Sequence, residues 1–283
     1  MEKGAYTIKF FAPGGSADGL KIIEKSNWTG RCVICPRPLF PEYKSQKDFE
    51  STGVYILIGP AEAADLPRLY IGEGDPIKPR LNSHYAKKDF WTKVVFFISK
   101  DENLNKAHIK YIESRLVGLA KDANRCVLDN GNSPAVPSMS EMDIAEAEGF
   151  LSEMRVCLVT LGIHAFSKPD NRAPGAVDLF LNGVQTNATG YEDPEGFVVK
   201  VGSLARVEEV ASVHKYLGGL RSLLLEREVM VEEGGQYRFT QDYTFSSPST
   251  AAGVILGRSS NGRVEWKNKN GITLKEIQEA NSA

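Results

Sequence analysis

Apolar and polar positions alternate at period two in several short runs before residue 100 and at a helical period beyond it. Gly53–Gly59 (GVYILIG) puts Tyr55 and Leu57 on one face and Val54, Ile56 and Ile58 on the other, so it reads as a strand. Residues 68–72 read as its antiparallel partner, and Lys93–Ser99 (KVVFFIS), rich in β-branched and aromatic side chains, as a third strand. Upstream, apolar runs at 6–11, 20–24 and 31–35 form an N-terminal β region over about residues 1–48, with a Pro-rich and then charged exit. Asp75-Pro76 predicts a helix start, the carboxylate at the N-cap and the proline at the first helical position. Ile109, Ile112, Leu116 and Leu119 make a helical stripe over about 105–122, and Glu113 sits at its edge.

Ser140 with Asp143 opens a further helix to about residue 161, acidic and then apolar, which is expected to close the core. Residues 163–176 have the composition of a linker. Beyond them, 178–181, 186–191, 196–201 and 237–245 read as strands, 212–228 as a helix, and 246–252 as the opening of another. The expected fold class is α+β, with an N-terminal β extension (1–48), a core with its closing helix (49–162), a linker (163–176) and a second α+β domain (177–283).

Composition narrows the classes. A chain of 283 residues, 42% hydrophobic and 25% charged, can bury two cores. Its formal net charge of -2 excludes a uniformly basic nucleic-acid coat, so any pull on phosphates has to be local. Residues 68–125 supply one, with twelve Lys/Arg against seven Asp/Glu, a net of +5. There is neither an N-terminal apolar run of signal length nor a membrane-length stretch, so a cytoplasmic protein with no membrane partner is expected. Cys32 and Cys35 form a C-x-x-C without a second pair, and Cys126 and Cys157 stand far apart, so the thiols read as structural.

The candidate chemistry lies between Gly53 and Asn130. Tyr55 follows Gly53-Val54, Tyr70 precedes Ile71-Gly72, and Arg80 and His84 stand at i and i+4 on one helical face. Glu113 and Asn130 come next, with Asn132 an alternative to Asn130 in the turn-rich 129–134. Each alone has an ordinary reading: packing tyrosines, a solvated arginine, a surface histidine, a glutamate paired with Lys110, a loop asparagine. In kind, order and spacing, the set resembles the catalytic core of the GIY-YIG nuclease superfamily over about residues 50–135.

That resemblance implies a small three-stranded antiparallel sheet flanked by helices. It also implies a metal-dependent endonuclease that hydrolyses phosphodiester bonds in nucleic acid, DNA being the expected substrate, in bacterial defence, restriction or repair. Tyr55 would orient or deprotonate the attacking water with help from His84, and Tyr70 would position the phosphate. Arg80 would stabilise the developing charge and Asn130 would fix the loop beside the metal. Glu113 would hold Mg²⁺ or Mn²⁺, hard ions that keep much of their hydration. Residues 60–67 depart from the family in forming a longer connection, and Val54 stands in place of Ile. A nucleic-acid-binding module without turnover, or a subunit of a larger complex, is the alternative class.

The C-terminal 100 or so residues resemble an uncharacterised domain appended to bacterial nuclease-related and restriction-associated proteins, through Ser-Pro-Ser (247–249), Gly-Arg-Ser (257–259), Asn-Gly (261–262) and Trp266. Arg258, Arg263, Lys267 and Lys269 surround Trp266 in sequence, a combination that could hold a phosphate backbone and stack a base, with a core tryptophan as the plain alternative. Lys87 and Lys88 extend the basic surface of the first domain. No Walker-type loop and no Ser-His-Asp ordering occurs.

Overall fold

The computed structural model describes residues 4–60, 66–168, 176–210 and 214–282. The chain folds as two compact units that divide between Phe166 and Ser167.

The first unit is built on strands β1 (Ile8–Phe11), β2 (Lys21–Lys25), β3 (Gly30–Pro36), β4 (Gly53–Gly59), β5 (Arg68–Gly74), β6 (Lys93–Ser99) and β7 (Val127–Leu128). Its helices are the single turn α1 (Phe40–Tyr43), α2 (Ile77–Lys87), α3 (Lys106–Ala123) and α4 (Glu141–Thr160). The strands form one sheet in the order β1-β2-β3-β6-β4-β5-β7, antiparallel except for the β5–β7 pair. This corrects the expected three-stranded sheet. β6 is apolar on both faces, and its two backbone edges are taken by β3 and β4, so the N-terminal strands complete the core sheet instead of extending from it.

Every residue of β4 is buried because both faces of the sheet are covered. Val54, Ile56 and Ile58 meet Ile109, Ile112 and Leu116 of α3 and Phe150, Leu151 and Met154 of α4 in one core. Tyr55 and Leu57 face a second core with Phe40, Phe49, Trp91, and Ile77 and Leu81 of α2. Burying each such aliphatic side chain is worth about 1.5–3 kcal/mol. Cys32 lies in the first core and Cys35 in the second, so these two thiols cannot share an ion, and all four cysteines are buried and outside any disulfide.

The alternation, the α3 stripe and the Ser140 N-cap, whose Oγ accepts from Asp143 N at 3.1 Å, follow the sequence pattern. α3 starts where the Asn105 side chain accepts from Ala107 N and His108 N, and ends at Asn124 in the left-handed conformation (φ 53°). Ala165 and Phe166 still pack into the first core, while residues 169–175 of the expected linker lie outside the described residues.

The second unit contains β8 (Leu179–Gly183), β9 (Thr186–Asp193), β10 (Gly196–Val199), β11 (Leu204–Arg206), α5 (Lys215–Glu226), β12 (Met230–Glu233), β13 (Gln236–Phe239), β14 (Tyr243–Phe245), α6 (Pro248–Leu256), α7 (Gly262–Glu265) and α8 (Leu274–Asn281). The antiparallel sheet runs β12-β13-β11-β9-β10-β14, with β8 also on β9. α6 is its buried centre. Ser247 caps α6 through Thr250 N at 3.0 Å, and Ala251, Ala252, Val254 and Ile255 are enclosed. The expected strand 237–245 is two strands that pair with different neighbours, β13 with β11 and β12, and β14 with β10. The start of the expected helix, 212–213, lies outside the described residues.

The structure is therefore α+β in both units. Among the described residues, no helix is long and apolar enough to cross a membrane.

Candidate functional site

The six core positions singled out from the sequence gather around the β4–β5 pair. In the register Tyr55 faces Gly72 and Tyr70 faces Leu57, so the two tyrosines are diagonal neighbours on one face. Their rings stack with centroids 6.3 Å apart and planes inclined by 26°. Glycine at 72 makes this possible: a Cβ there would stand 2.4 Å from Tyr55 Cζ and Oη, so the Tyr55 ring lies across the strand where any other residue would push it off.

α2 brings its polar face to this stack. Ile77 and Leu81 are buried beneath it, while Arg80, His84 and Lys87 follow at helical spacing on the other side. The His84 ring packs 4.6 Å from Tyr70 and 5.6 Å from Tyr55 by centroid, and its Nε2 lies 2.8 Å from the Tyr55 hydroxyl. The helix start differs from the sequence reading. Pro76 is the N-cap, and the Asp75 carboxylate instead accepts from Thr52 Oγ1 at 2.6 Å. The first helical N–H, of Ile77, is satisfied by the Ser51 carbonyl at 3.1 Å.

Electrostatics sort these side chains. Burial, and then the cations Lys88 and Arg80, push the His84 pKa down to about 4, so the imidazole is neutral at neutral pH and Nε2 can accept from the Tyr55 hydroxyl. Tyr55 is 1% exposed, and burial followed by Tyr70 raises its phenol well above the ordinary value, although Arg80 pulls the other way. A pre-formed phenolate, which deprotonation of water by Tyr55 alone would need, is thereby disfavoured. Tyr70 is raised as well, by burial and then by Glu113.

Lys88 belongs to the frame of the site. Its ammonium bonds Asp129, which also accepts from Arg68, and it lies 4.5 Å from the Tyr70 ring centroid. Burial of Asp129 raises its pKa, but the hydrogen bonds from Lys88 and Arg68 outweigh this and hold the carboxyl below its usual range. Lys88, expected as a phosphate contact, is thus ion-paired with Asp129 and half-buried. Arg80 and Lys87 are exposed, and among the described residues neither has an ion-pair partner.

Glu113 is half-buried on α3, and among the described residues it makes no hydrogen bond or ion pair, so the alternative pairing with Lys110 is not formed. Burial, and then the neighbouring Glu73 carboxylate, raise its pKa to about 7, with Arg80 and Lys110 opposing. Two carboxylates repelling each other at a partly desolvated position fit a hard divalent cation, which would relieve both penalties. Sequence reasoning passed over Glu73, whose signal was a carboxylate directly after Tyr70-Ile71-Gly72, and Asp129, which was hidden in a turn-rich stretch.

Asn130 fixes its loop by a two-point bond to the backbone of Ile71. Its Oδ1 accepts from Ile71 N at 3.0 Å and its Nδ2 donates to Ile71 O at 2.8 Å, continuing the parallel β5–β7 pairing by one step. Both ends of the amide are therefore occupied. Asn132 is exposed two residues further on.

In the second unit the tryptophan reading is corrected. Trp266 is 0% exposed, packs 4.6 Å from Phe197 by centroid, and donates from Nε1 to the Pro248 carbonyl at 3.1 Å, so it cannot stack a base. Arg258 pairs with Glu265 at 2.7 Å, and Arg263 Nε donates to Gln278 Oε1 at 2.7 Å. Lys267 lends its backbone to a bridge with Phe180, and its side chain is exposed, as is that of Lys269.

Residues 179–278 match a family model described as a domain of unknown function (DUF4357). No curated protein and no solved structure matches the chain.

Proposed function

We propose that the first unit is a metal-dependent nuclease of the GIY-YIG kind, hydrolysing phosphodiester bonds in nucleic acid, with DNA as the expected substrate. The observation that carries the reading is the Tyr55 hydroxyl 2.8 Å from a neutral His84 Nε2, stacked on Tyr70 and flanked by Arg80, which has no ion-pair partner among the described residues. On an inert fold, a buried Tyr–His pair needs neither an exposed arginine one helical turn away nor an unpaired glutamate close enough to shift both tyrosines.

In this reading Tyr55 and His84 form a relay. The Tyr55 oxygen accepts a proton from the attacking water as its own proton passes to His84 Nε2, so the phenol never has to exist as a free phenolate. Tyr70 offers its less buried hydroxyl to a phosphate oxygen, and Arg80 meets the charge that grows on the phosphoryl group. Mg²⁺ or Mn²⁺ bound at Glu113 would supply charge neutralisation at the leaving oxygen. Asn130 holds the chain beside β5, and Lys87 adds attraction for the backbone. The second unit is proposed as a targeting domain, with Arg263, Lys267 and Lys269 exposed around the buried Trp266.

A binding module without turnover is favoured by one observation, the raised Tyr55 phenol. Incubation of the purified chain with plasmid, single-stranded DNA and RNA, with Mg²⁺, Mn²⁺ or chelator, separates the two. Metal-dependent cleavage supports the nuclease, and retention of nucleic acid without cleavage supports the binder.

A further inference from the structure

We propose that the first unit carries a second cation site, in which His108, Asp143 and Glu146 bind a divalent transition metal of the Zn²⁺ class and fasten the start of α4 to the start of α3. The three side chains offer an imidazole nitrogen and two carboxylate oxygens, all within 4.8 Å of one another. Ligands 2.0–2.1 Å from a tetrahedral ion stand about 3.3 Å apart, so closure requires shifts on the order of 1 Å. Glu146 is exposed and Asp143 half-exposed, so both side chains have room to make them.

The imidazole is what points to a ligand. His108 is 4% exposed, and among the described residues its Nε2 has no hydrogen-bond partner. Asp143 Oδ1, the nearest carboxylate oxygen, is 3.6 Å away, beyond hydrogen-bond reach. The other ring nitrogen, Nδ1, lies nearer to the Asn103 carbonyl (3.3 Å) than to the Asn105 amide (3.5 Å). A proton on Nδ1, donated to that carbonyl, leaves the Nε2 lone pair aimed at the carboxylates, the arrangement that orients metal-binding histidines.

The carboxylates are prepared in the same sense. Asp143 Oδ2 is held by Ser140 Oγ at 2.7 Å, which turns Oδ1 toward the imidazole. Glu146 stands at i+3 from Asp143 on the same helix flank and, among the described residues, has no hydrogen bond or ion pair. A neutral imidazole and two carboxylates balance a 2+ ion, and the nitrogen ligand selects Zn²⁺-class ions over Mg²⁺. A cleft of about 230 Å³, lined by His108, Glu146, Asp101 and Trp28 among others, gives room for water to complete the coordination. His108 lies five positions before Glu113 on α3, about 140° around the helix, so this site is separate from the one proposed for Mg²⁺ or Mn²⁺.

The test uses the full chain carrying Glu113→Gln, which removes the other cation site, stripped with chelator and titrated with Co²⁺ and Zn²⁺. The expected result is a visible d–d band with one equivalent of Co²⁺, displaced by Zn²⁺, together with a Zn²⁺-dependent rise in Tm. Adding Asp143→Asn and Glu146→Gln should weaken Zn²⁺ binding at least about tenfold and abolish the Tm rise. Glu146 is exposed, and asparagine at 143 keeps an acceptor for Ser140 Oγ, so the fold is checked by an unchanged Tm in chelator. His108→Gln should remove the band. Absence of a d–d band in excess Co²⁺, a thiolate charge-transfer band that places the ion on a cysteine, or undiminished Zn²⁺ affinity in the Asp143→Asn/Glu146→Gln variant would each overturn the proposal.

Discussion

Replacing Glu113 by glutamine should make the metal-free protein more stable at alkaline pH and leave it unchanged in acid. Glu113 has its pKa raised from 4.5 to about 7 by burial and by Glu73. Below pH 4.5 the carboxyl is protonated in both folded and unfolded chains and costs nothing. Between 4.5 and 7 the unfolded chain releases the proton while the folded one keeps it, so folding stability falls as pH rises, and the full penalty is present above 7. At about 1.36 kcal/mol per pH unit, the displacement sets a ceiling of about 3.4 kcal/mol. Because the carboxylate is only half-buried, solvent screening reduces this to about 1–2 kcal/mol. Glutamine keeps the shape and has no charge to desolvate. Chemical denaturation in chelator should therefore give equal stabilities for the two proteins near pH 4 and a gain of about 1–2 kcal/mol for Glu113→Gln at pH 8. Added Mg²⁺ at pH 8 should narrow the gap by stabilising the wild type alone. A Glu113→Gln protein no more stable than wild type at pH 8, or a difference that grows toward acid, would refute the claim that Glu113 is held at a cation-seeking position.

Three further outcomes follow from the site and its surroundings. Gly72→Ala places a methyl 2.4 Å from the Tyr55 ring, so it should cost about 1–3 kcal/mol of stability and lengthen the Tyr55–His84 bond, visible as a changed His84 imidazole shift by NMR. The His84 imidazole should titrate at about 4 in the wild type and higher in Lys88→Met, because Lys88 is its strongest charged perturber; stability from this group is lost as pH falls from 6.5 through 4. Trp266→Ala should cost about 3–5 kcal/mol in thermal or urea unfolding, as expected of a core residue and not of a surface stacking platform.

What could be read from the sequence was whatever rests on local periodicity. The two faces of β4, the bounds of β6, the α3 stripe and the Arg80/His84 face all follow from spacing along one element. What could not be read depends on which element meets which. Nothing in residues 30–36 says that they pair with β6 across some sixty intervening residues, so the sheet was expected to be smaller than it is. The 237–245 run looks continuous, and only the different partners of β13 and β14 divide it. Asp75 has the chemistry of an N-cap, but Thr52, distant in sequence, takes its carboxylate. Trp266 among basic residues fits a nucleic-acid surface equally well on paper, and it is the Pro248 carbonyl and the Phe197 ring that place it inside. Lys88 is set apart from Lys87 by Asp129, a partner 41 residues away, and by the Tyr70 ring.

The central claim is that Tyr55, His84, Arg80 and Glu113 act together on a phosphodiester. It is tested most directly by single-turnover cleavage of labelled DNA and RNA in Mn²⁺ and Mg²⁺, comparing the wild type with Tyr55→Phe and Glu113→Gln. Metal-dependent cleavage by the wild type is expected, with a fall of about 10²–10⁴-fold in rate for Tyr55→Phe with binding retained, and a comparable loss for Glu113→Gln. Cleavage at equal rates by all three proteins, or tight binding by the wild type with no cleavage under any metal condition, would contradict it.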